Sequence, residues 1–264
     1  MTFHGDKSRK KTFSFFLAAC LTAFVADGLR AQSFHDPGWS ARAEGMGGLF
    51  SSEGHDSTAI YYNPSGITSL KKNEIVLMNY TPYAGIEGLD WNYYLFAGSF
   101  RLRYFSLGLG YTNYGVKNTE GSNVYSANTY TVSVARRMRS FSLGLNGRIL
   151  EHRYLIPPEL SGDFPASSRA SFTADAGILY EFGRELSIGI SGFNLLPADV
   201  GLRYEDIVPR TARLNASYRF YTERQGPAGR KIYLNAGLLY NEDQLLEHYL
   251  GAAGAEIFLG QFIT

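Results

Sequence analysis

Cysteine is nearly missing from this 264-residue chain: Cys20 is the only one. A single thiol closes no disulfide within the chain, and none is left if the N-terminus is removed. Charge is scarce as well, at 19% of residues where a soluble domain carries about 25%. Beyond residue 30 there is no apolar run of about 20 residues, which excludes a bundle of membrane-spanning helices. The formal net charge of +1 gives no basic excess of the kind that nucleic-acid binding needs. Tryptophan is down to 2 residues, yet there are 19 Tyr, 18 Phe and 29 Gly. A chain rich in Tyr, Phe and Gly, with a mean hydropathy of only -0.16, suits a sheet whose apolar and polar faces cancel in the average.

The first residues read as an export signal. Lys7, Arg9, Lys10 and Lys11 form a positive start, and residues 13–25 are almost wholly apolar. That run is short for a bilayer span, and small or polar residues follow it up to Ala31, where cleavage is expected. A second processing remains open, because Leu17-Ala18-Ala19-Cys20 has the form of a lipoprotein box. Against it, residues 21–26 stay apolar where a lipoprotein would turn polar. Removing residues 1–31 takes away five basic residues (the four above and Arg30) and two acidic ones (Asp6 and Asp27). That leaves 20 basic and 22 acidic residues, a formal charge of −2.

From about residue 73 the chain alternates with period 2, in segments of about ten residues separated by turn chemistry. Over 140–149, Phe141, Leu143, Leu145 and Ile149 share one face, and Ser142, Gly144, Asn146 and Arg148 the other. Over 170–182, the even-numbered Phe172, Ala174, Ile178, Tyr180 and Phe182 oppose Ser171, Thr173, Asp175 and Gly177. Over 211–220, Ala212, Leu214, Ala216, Tyr218 and Phe220 oppose Arg213, Asn215, Ser217 and Arg219. Further segments at 73–81, 89–101, 102–114, 127–138, 184–194, 230–240 and 247–260 bring the count to about ten. A soluble β-sandwich would alternate too. Here the polar faces are made of small residues with a few charges, and rings gather at segment ends (Tyr80, Tyr111, Tyr114, Tyr180, Phe182, Tyr218, Tyr240), as at the interfaces of a membrane barrel. The expected fold is an all-β, antiparallel transmembrane β-barrel. Leu143 and Leu214 are expected to face lipid. Asn146, Arg148, Asp175, Arg213, Asn215 and Arg219 are expected to face the lumen, where an added Arg should cost little.

Residues 39–70 do not alternate. Gly45, Gly47 and Gly48 permit close backbone approach, and Asn63-Pro64 starts a turn in which Gly66 is free to take positive φ. This segment reads as a glycine-punctuated coil that packs inside something. Its pattern, Gly45-Met-Gly47-Gly48 followed by Asp56-Ser-Thr-Ala59, Tyr61 and Asn63-Pro64-Ser65-Gly66, resembles the N-terminal signature of PorV/PorQ-type outer-membrane proteins. Those are relatives of the FadL-like long-chain fatty-acid transporters. Ser65 stands where that signature usually has Ala. Later stretches are similar in the same order: residues 190–197, residues 208–218, and Gly254-Ala255-Glu256.

The resemblance implies a signal peptide over 1–31, a hatch over 32–70 with Gly45, Gly47, Gly48, Asn63, Pro64 and Gly66 as its motif, and a barrel over 71–264. It implies an outer-membrane location in a bacterial cell, surrounding membrane lipid, and passive transport of a hydrophobic small-molecule ligand. The alternative within the same group is a PorV-like role with a secretion-system partner. Such barrels have about fourteen strands, within the even-numbered range of membrane barrels. An incomplete barrel is therefore expected, with an open sheet or strained closure between its first and last strands, or else a smaller closed one.

Enzyme readings are poor. His4, His35, His55, His152 and His248 are scattered, without metal-ligand spacing on a shared face. His55-Asp56-Ser57 has the residue types of a hydrolase triad, but neighbours in one loop rarely meet in that geometry. No catalytic residue, metal site or cofactor is expected. Glu74, Asp90 and Glu256 are expected at strand ends or in the lumen, Glu256 as a paired or solvated charge.

Overall fold

The computed structural model describes residues 38–54, 56–81, 89–118, 121, 123–155, 168–183, 185–202, 204–221, 231–242 and 249–258. The export-signal reading, Cys20 and His55 lie outside them. Ten strands follow one another: β1 (Glu74–Tyr80), β2 (Leu89–Arg101), β3 (Ser106–Asn118), β4 (Asn123–Met138), β5 (Phe141–Tyr154), β6 (Ser168–Phe182), β7 (Leu186–Phe193), β8 (Thr211–Tyr221), β9 (Lys231–Asn241) and β10 (Tyr249–Phe258). Each pairs antiparallel with its sequence neighbours in a single sheet ordered β1 to β10. Among the described residues no ladder joins β1 to β10. No helix among them is long and apolar enough to cross a membrane.

The sheet is apolar on the outside. On β5, Leu143, Leu145 and Ile149 are exposed, whereas Ser142, Asn146 and Arg148 are buried. β6 repeats the pattern with Phe172, Ile178, Tyr180 and Phe182 outward and Thr173 and Asp175 inward. On β8, Leu214, Tyr218 and Phe220 face out and Asn215 and Ser217 in. Leu77 reaches 75% exposure and Leu145 64%, which water would penalise by about 25 cal/mol for each Å² left wet. Lipid is the solvent in which this surface is stable, so the fold is an antiparallel transmembrane β-barrel. Leu143→Arg should lower barrel stability by about 2–4 kcal/mol if it sits near mid-bilayer. Urea titration in lipid vesicles measures this, and a loss under 0.5 kcal/mol would remove lipid from that face.

Connections differ at the two ends. Residues 102–105 and 139–140 make tight turns at one end, helped by positive φ at Arg139, and Gly183, also with positive φ, follows β6 at that end. At the other end the β7–β8 connection runs from 194 to 210. Short turns mark the inner-leaflet side of bacterial barrels, and long loops the outside. Several boundaries differ from the alternation; β3 runs on to Asn118 and β4 already starts at Asn123. Residues 102–105 are a turn although Tyr104 and Phe105 are apolar, so β3 begins four residues later than its pattern starts. β5 in turn continues through Tyr154, because polar Glu151 and His152 keep the same alternation.

Residues 38–70 fold inside the sheet, not as plain coil. Ser40 caps a short helix, α1 (Ala41–Gly45), by accepting a hydrogen bond from the Ala43 N–H. Asp56 caps a 3-10 helix at Ser57–Tyr61, and Asn63 caps another at Pro64–Ser69. Asp and Asn satisfy first-turn N–H groups well, and Pro64 costs nothing at the first position of a helix. The main core lies here: Phe50, Ile60, Tyr61, Tyr62 and Ile67 pack with Tyr93, Leu95 and Ala97 of β2 and Ala135 of β4.

Candidate functional site: the filled lumen

Backbone lies directly on backbone where this inner segment meets the wall. A Cβ added at Gly189 of β7 would overlap the Ser51 carbonyl, and one at Gly144 of β5 the Pro64–Ser65 peptide. At Gly177 of β6 it would strike the Asn63 side chain, and at Gly254 of β10 the backbone of Met46. The inward glycines are thus a seat for the segment. Sequence reading noted small residues on that face without asking what they make room for.

Each motif residue of the segment has a definite place. Asn63 is fully buried; its Nδ2 donates to the Ser51 carbonyl (2.7 Å) and to Ile178 O of β6 (2.9 Å). Its Oδ1 accepts from the Ser65 N–H and hydroxyl. Pro64 opens the second 3-10 helix. Gly47 and Gly48 have φ of +72° and +73°, a region that favours glycine. Two expectations need correction. Gly45 ends α1 with open space around it and no steric need for glycine. Gly66 does not take positive φ; it is glycine because Gly54 and the Glu53 carbonyl press against it.

The inward residues of the wall also find places. Asn146 donates to Ile60 O of the inner segment and to Asp175 Oδ2, both at 2.9 Å. Asp175 Oδ1 accepts from the Asn194 backbone N–H (3.0 Å) and lies 3.4 Å from Arg148 Nη1, which also donates to Asn194 Oδ1 (3.1 Å). Arg213 sits over the rings of Tyr62 and Phe193, and Arg219 over Tyr233. Asn215 is buried beside Gly237 of β9. Such packing corrects the expectation of a tolerant lumen, since an Arg at position 146 would have to displace Ile60.

Arg42 and Glu53, which the sequence did not single out, join the segment to the wall. Arg42 donates through Nε and Nη2 to both Glu256 oxygens at 2.7 Å, a bidentate pair with β10. It also lies 3.6 Å from Glu53 and 3.7 Å from Asp56. Burial pulls the Arg42 pKa down, but the hydrogen bond and charge of Glu256, with Glu53 and Asp56, outweigh it and hold it above the ordinary value. Buried Glu53 accepts from the Ser217 hydroxyl of β8. Ser57 meets the opposite edge, its N–H 3.0 Å from Glu74 Oε2 and its hydroxyl 3.1 Å from Glu74 O. The segment therefore spans from β1 to β10.

Above it, towards the long-connection end, rings line the inner wall of β1 to β5. Trp39 stacks on Tyr61 at 4.9 Å and neighbours Tyr93, which meets Tyr80. Trp91, Tyr114 and Tyr125 continue in contact, and Tyr125 reaches His152 and Tyr154. Tyr80 and Tyr114 were expected in an interfacial girdle; their strand parity turns them inward instead. The β7–β8 connection folds in over the same wall. Its Ala198, Val200 and Val208 bury Leu150 of β5, and Thr173 Oγ1 donates to Leu196 O at 2.8 Å.

Asp199 ties that connection together. It accepts from the N–H groups of Gly201 (3.0 Å) and Asp206 (2.9 Å) and pairs with Arg169 of β6. The Asp206 hydrogen bond first, then that of Gly201, depress its pKa below 3.8, and Arg169 adds to them against slight desolvation. A depressed carboxylate stabilises the fold above its unfolded pKa, and that contribution is lost as pH falls through the folded value. Protease cleavage within 194–210 should stay slow from pH 7 to 4.5 and quicken below about 3.8. Asp199→Asn should be cleaved faster at pH 7; equal rates would mean that the carboxylate does not hold the connection.

Among the described residues no group of His, Cys, Asp or Glu is placed to hold a metal ion. No protein-family model and no curated protein matches the sequence. Solved structures do. The chain is similar to a structure described as the CymD monoaromatic hydrocarbon channel, with a TM-score of 0.51 at 12% identity, covering 79% of this chain and 70% of that one. A second is described as the toluene transporter TbuX of Ralstonia pickettii, with a TM-score of 0.49 at 10% identity, covering 86% and 81%. At such identities the first likeness is one of fold. It agrees with the FadL-like barrel that the sequence resembles.

Proposed function

We propose that the protein lies in a bacterial outer membrane and passes small hydrophobic molecules inward without an energy source. The observation that carries this reading is the run of rings, Trp91 through Tyr154, on the inner wall above the filled part of the lumen. Tyr and Trp offer apolar faces with polar tips, so a hydrophobic solute leaving water finds contacts there while the site stays wetted. The segment over 32–70 then acts as a hatch, and transport requires that bound solute favour a state in which it is loosened. CymD is described as a hydrocarbon channel, and that description agrees with this substrate class.

The test is initial uptake of radiolabelled toluene and of a medium-chain fatty acid by cells making the protein. Uptake of at least one should rise several-fold over cells without it. Unchanged uptake of both would overturn transport. The finer PorV/PorQ-type reading rests on residues 56–66. It would gain if deletion impaired protein export to the cell surface while uptake stayed the same.

A further inference from the structure

The two ends of the barrel treat their cations differently. At the long-connection end, Arg153 pairs with Glu151, Arg169 with Asp199, and Arg210 with Glu242. At the tight-turn end, Lys71, Lys72, Arg101, Arg103, Arg136 and Arg139 are exposed and have no carboxylate partner among the described residues. Among the described residues there, only Arg137 pairs with a carboxylate, that of Glu181. The six cations form one patch. Arg101 closes β2 where it pairs with Ser106 of β3, and Ser106 pairs with Ala135 of β4. β4 then runs on through Arg136 to Met138 beside the 102–105 turn. The Arg101 N–H reaches Asn73, next to Lys72. Three strand spacings, about 14 Å, separate β1 from β4.

Apolar side chains share the patch. Leu102, Tyr104, Phe105 and Met138 are exposed between the cations, and Arg103 lies over the Tyr104 ring at 5.2 Å. Arg136 continues the outward column of Val132 and Val134. Its guanidinium therefore stands where the apolar band ends, with Leu109 and Leu145 on neighbouring strands of that band. A soluble acidic protein would meet the cations but leave the apolar column uncovered. A lipid with a phosphate head and acyl chains covers both, and a planar guanidinium grips phosphate by two hydrogen bonds.

We propose that this end of the barrel, from Lys71 to Arg139, binds the phosphate heads of acidic phospholipids, phosphatidylglycerol being the type, in the leaflet it meets. The lipid orients the barrel and covers cations that the chain leaves unneutralised. This role is independent of what passes through the lumen.

The experiment is native mass spectrometry of the full-length protein released from micelles holding equal phosphatidylglycerol and phosphatidylcholine. Each surface cation strengthens attraction to acidic lipid by about fivefold. The natural protein should retain phosphatidylglycerol over phosphatidylcholine at least fivefold, and less so in 0.5 M salt. The triple variant Arg103→Gln/Arg136→Gln/Arg139→Asn should bring the ratio near one. Asn is chosen at 139 because it tolerates the positive φ there. Arg153→Gln/Arg169→Gln, at the other end, should leave the preference intact. Heat-modified gel migration confirms that each variant is folded. The proposal is overturned if the natural protein shows no preference, if the triple variant keeps it, or if the far-end pair abolishes it. It also fails if lipid A or inorganic phosphate displaces phosphatidylglycerol at equal concentration.

Discussion

Gly189→Val should turn a plugged barrel into a conducting one. In planar bilayers the natural protein is expected to be nearly silent, while the variant shows frequent open steps. The valine side chain would occupy the space of the Ser51 carbonyl, and neither backbone can retreat without breaking its own hydrogen bonds. Overpacking of this kind typically costs 1–3 kcal/mol. The bonds lost with it raise that figure for the seated state. Asn63 Nδ2 donates to Ser51 O, Ser187 Oγ to Ser52 O at 2.9 Å, and Ser191 Oγ to Tyr62 O at 2.7 Å. Each contributes about 1 kcal/mol net; the Ser187 and Ser191 bonds depend on the segment lying on β7, and the Asn63 bond, within the segment, fixes Ser51 in that place. The barrel itself keeps its strands, so expulsion of the segment is the cheaper response. Gly147→Val is the control. It lies on the outward face of β5, where an added Cβ would meet Phe172 at an ordinary 3.5 Å. If both variants stay silent, the glycine seat does not hold the segment in place.

Asp175→Ala should be the most destabilising single change in the wall. The carboxylate is 1% exposed and takes hydrogen bonds from Asn146 and Asn194 while facing Arg148. Without it the Arg148 charge stays buried with no counter-charge, a loss of about 3–5 kcal/mol. Arg148→Met added to Asp175→Ala should recover most of this, because an apolar pair of similar volume often matches a buried ion pair. Urea unfolding in detergent, followed by gel migration, gives both numbers and their coupling. A single-variant loss below 1 kcal/mol, or a double variant worse than the single, would show that the pair does not hold the wall. Because Asn146 also holds Ile60 and Asn194 also holds Pro209, Asp175→Ala should loosen the inner segment and the 194–210 connection together.

The strands were legible because a two-residue period carries its own proof. Once Leu143, Leu145 and Ile149 fall on one face, a one-residue slip would reverse every side chain. Small residues on the polar faces and rings at the segment ends separated barrel from sandwich. The interior was not legible to the same degree, since alternation says which way a side chain points but not what it meets. Gly144 and Gly177 stood only as small residues of the polar faces until the path of Asn63 to Ser65 explained them. Tyr80 and Tyr114 looked like a girdle because their places near segment ends outweighed their parity. Arg42 and Glu256 stand 214 residues apart, a distance over which no local pattern signals a pair. The gap between the segments at 184–194 and 211–220 marked a connection but could not reveal that it folds inward over Leu150.

That same separation sets an order of events. Every strand pairs with its sequence neighbour, so the sheet can grow hairpin by hairpin with small loops to close at each step. The inner segment precedes every described strand in the chain, yet its bidentate contact is with Glu256 of β10, the tenth of them. Early contacts, such as Ser57 with Glu74, can template the first hairpins; Arg42 meets its carboxylate only when the wall has come round. The inner segment is thus the core on which the sheet is wound, and the Arg42–Glu256 pair registers that β10 has reached it. Arg42→Ala should then slow the docking of β10 while leaving the formation of the early hairpins untouched.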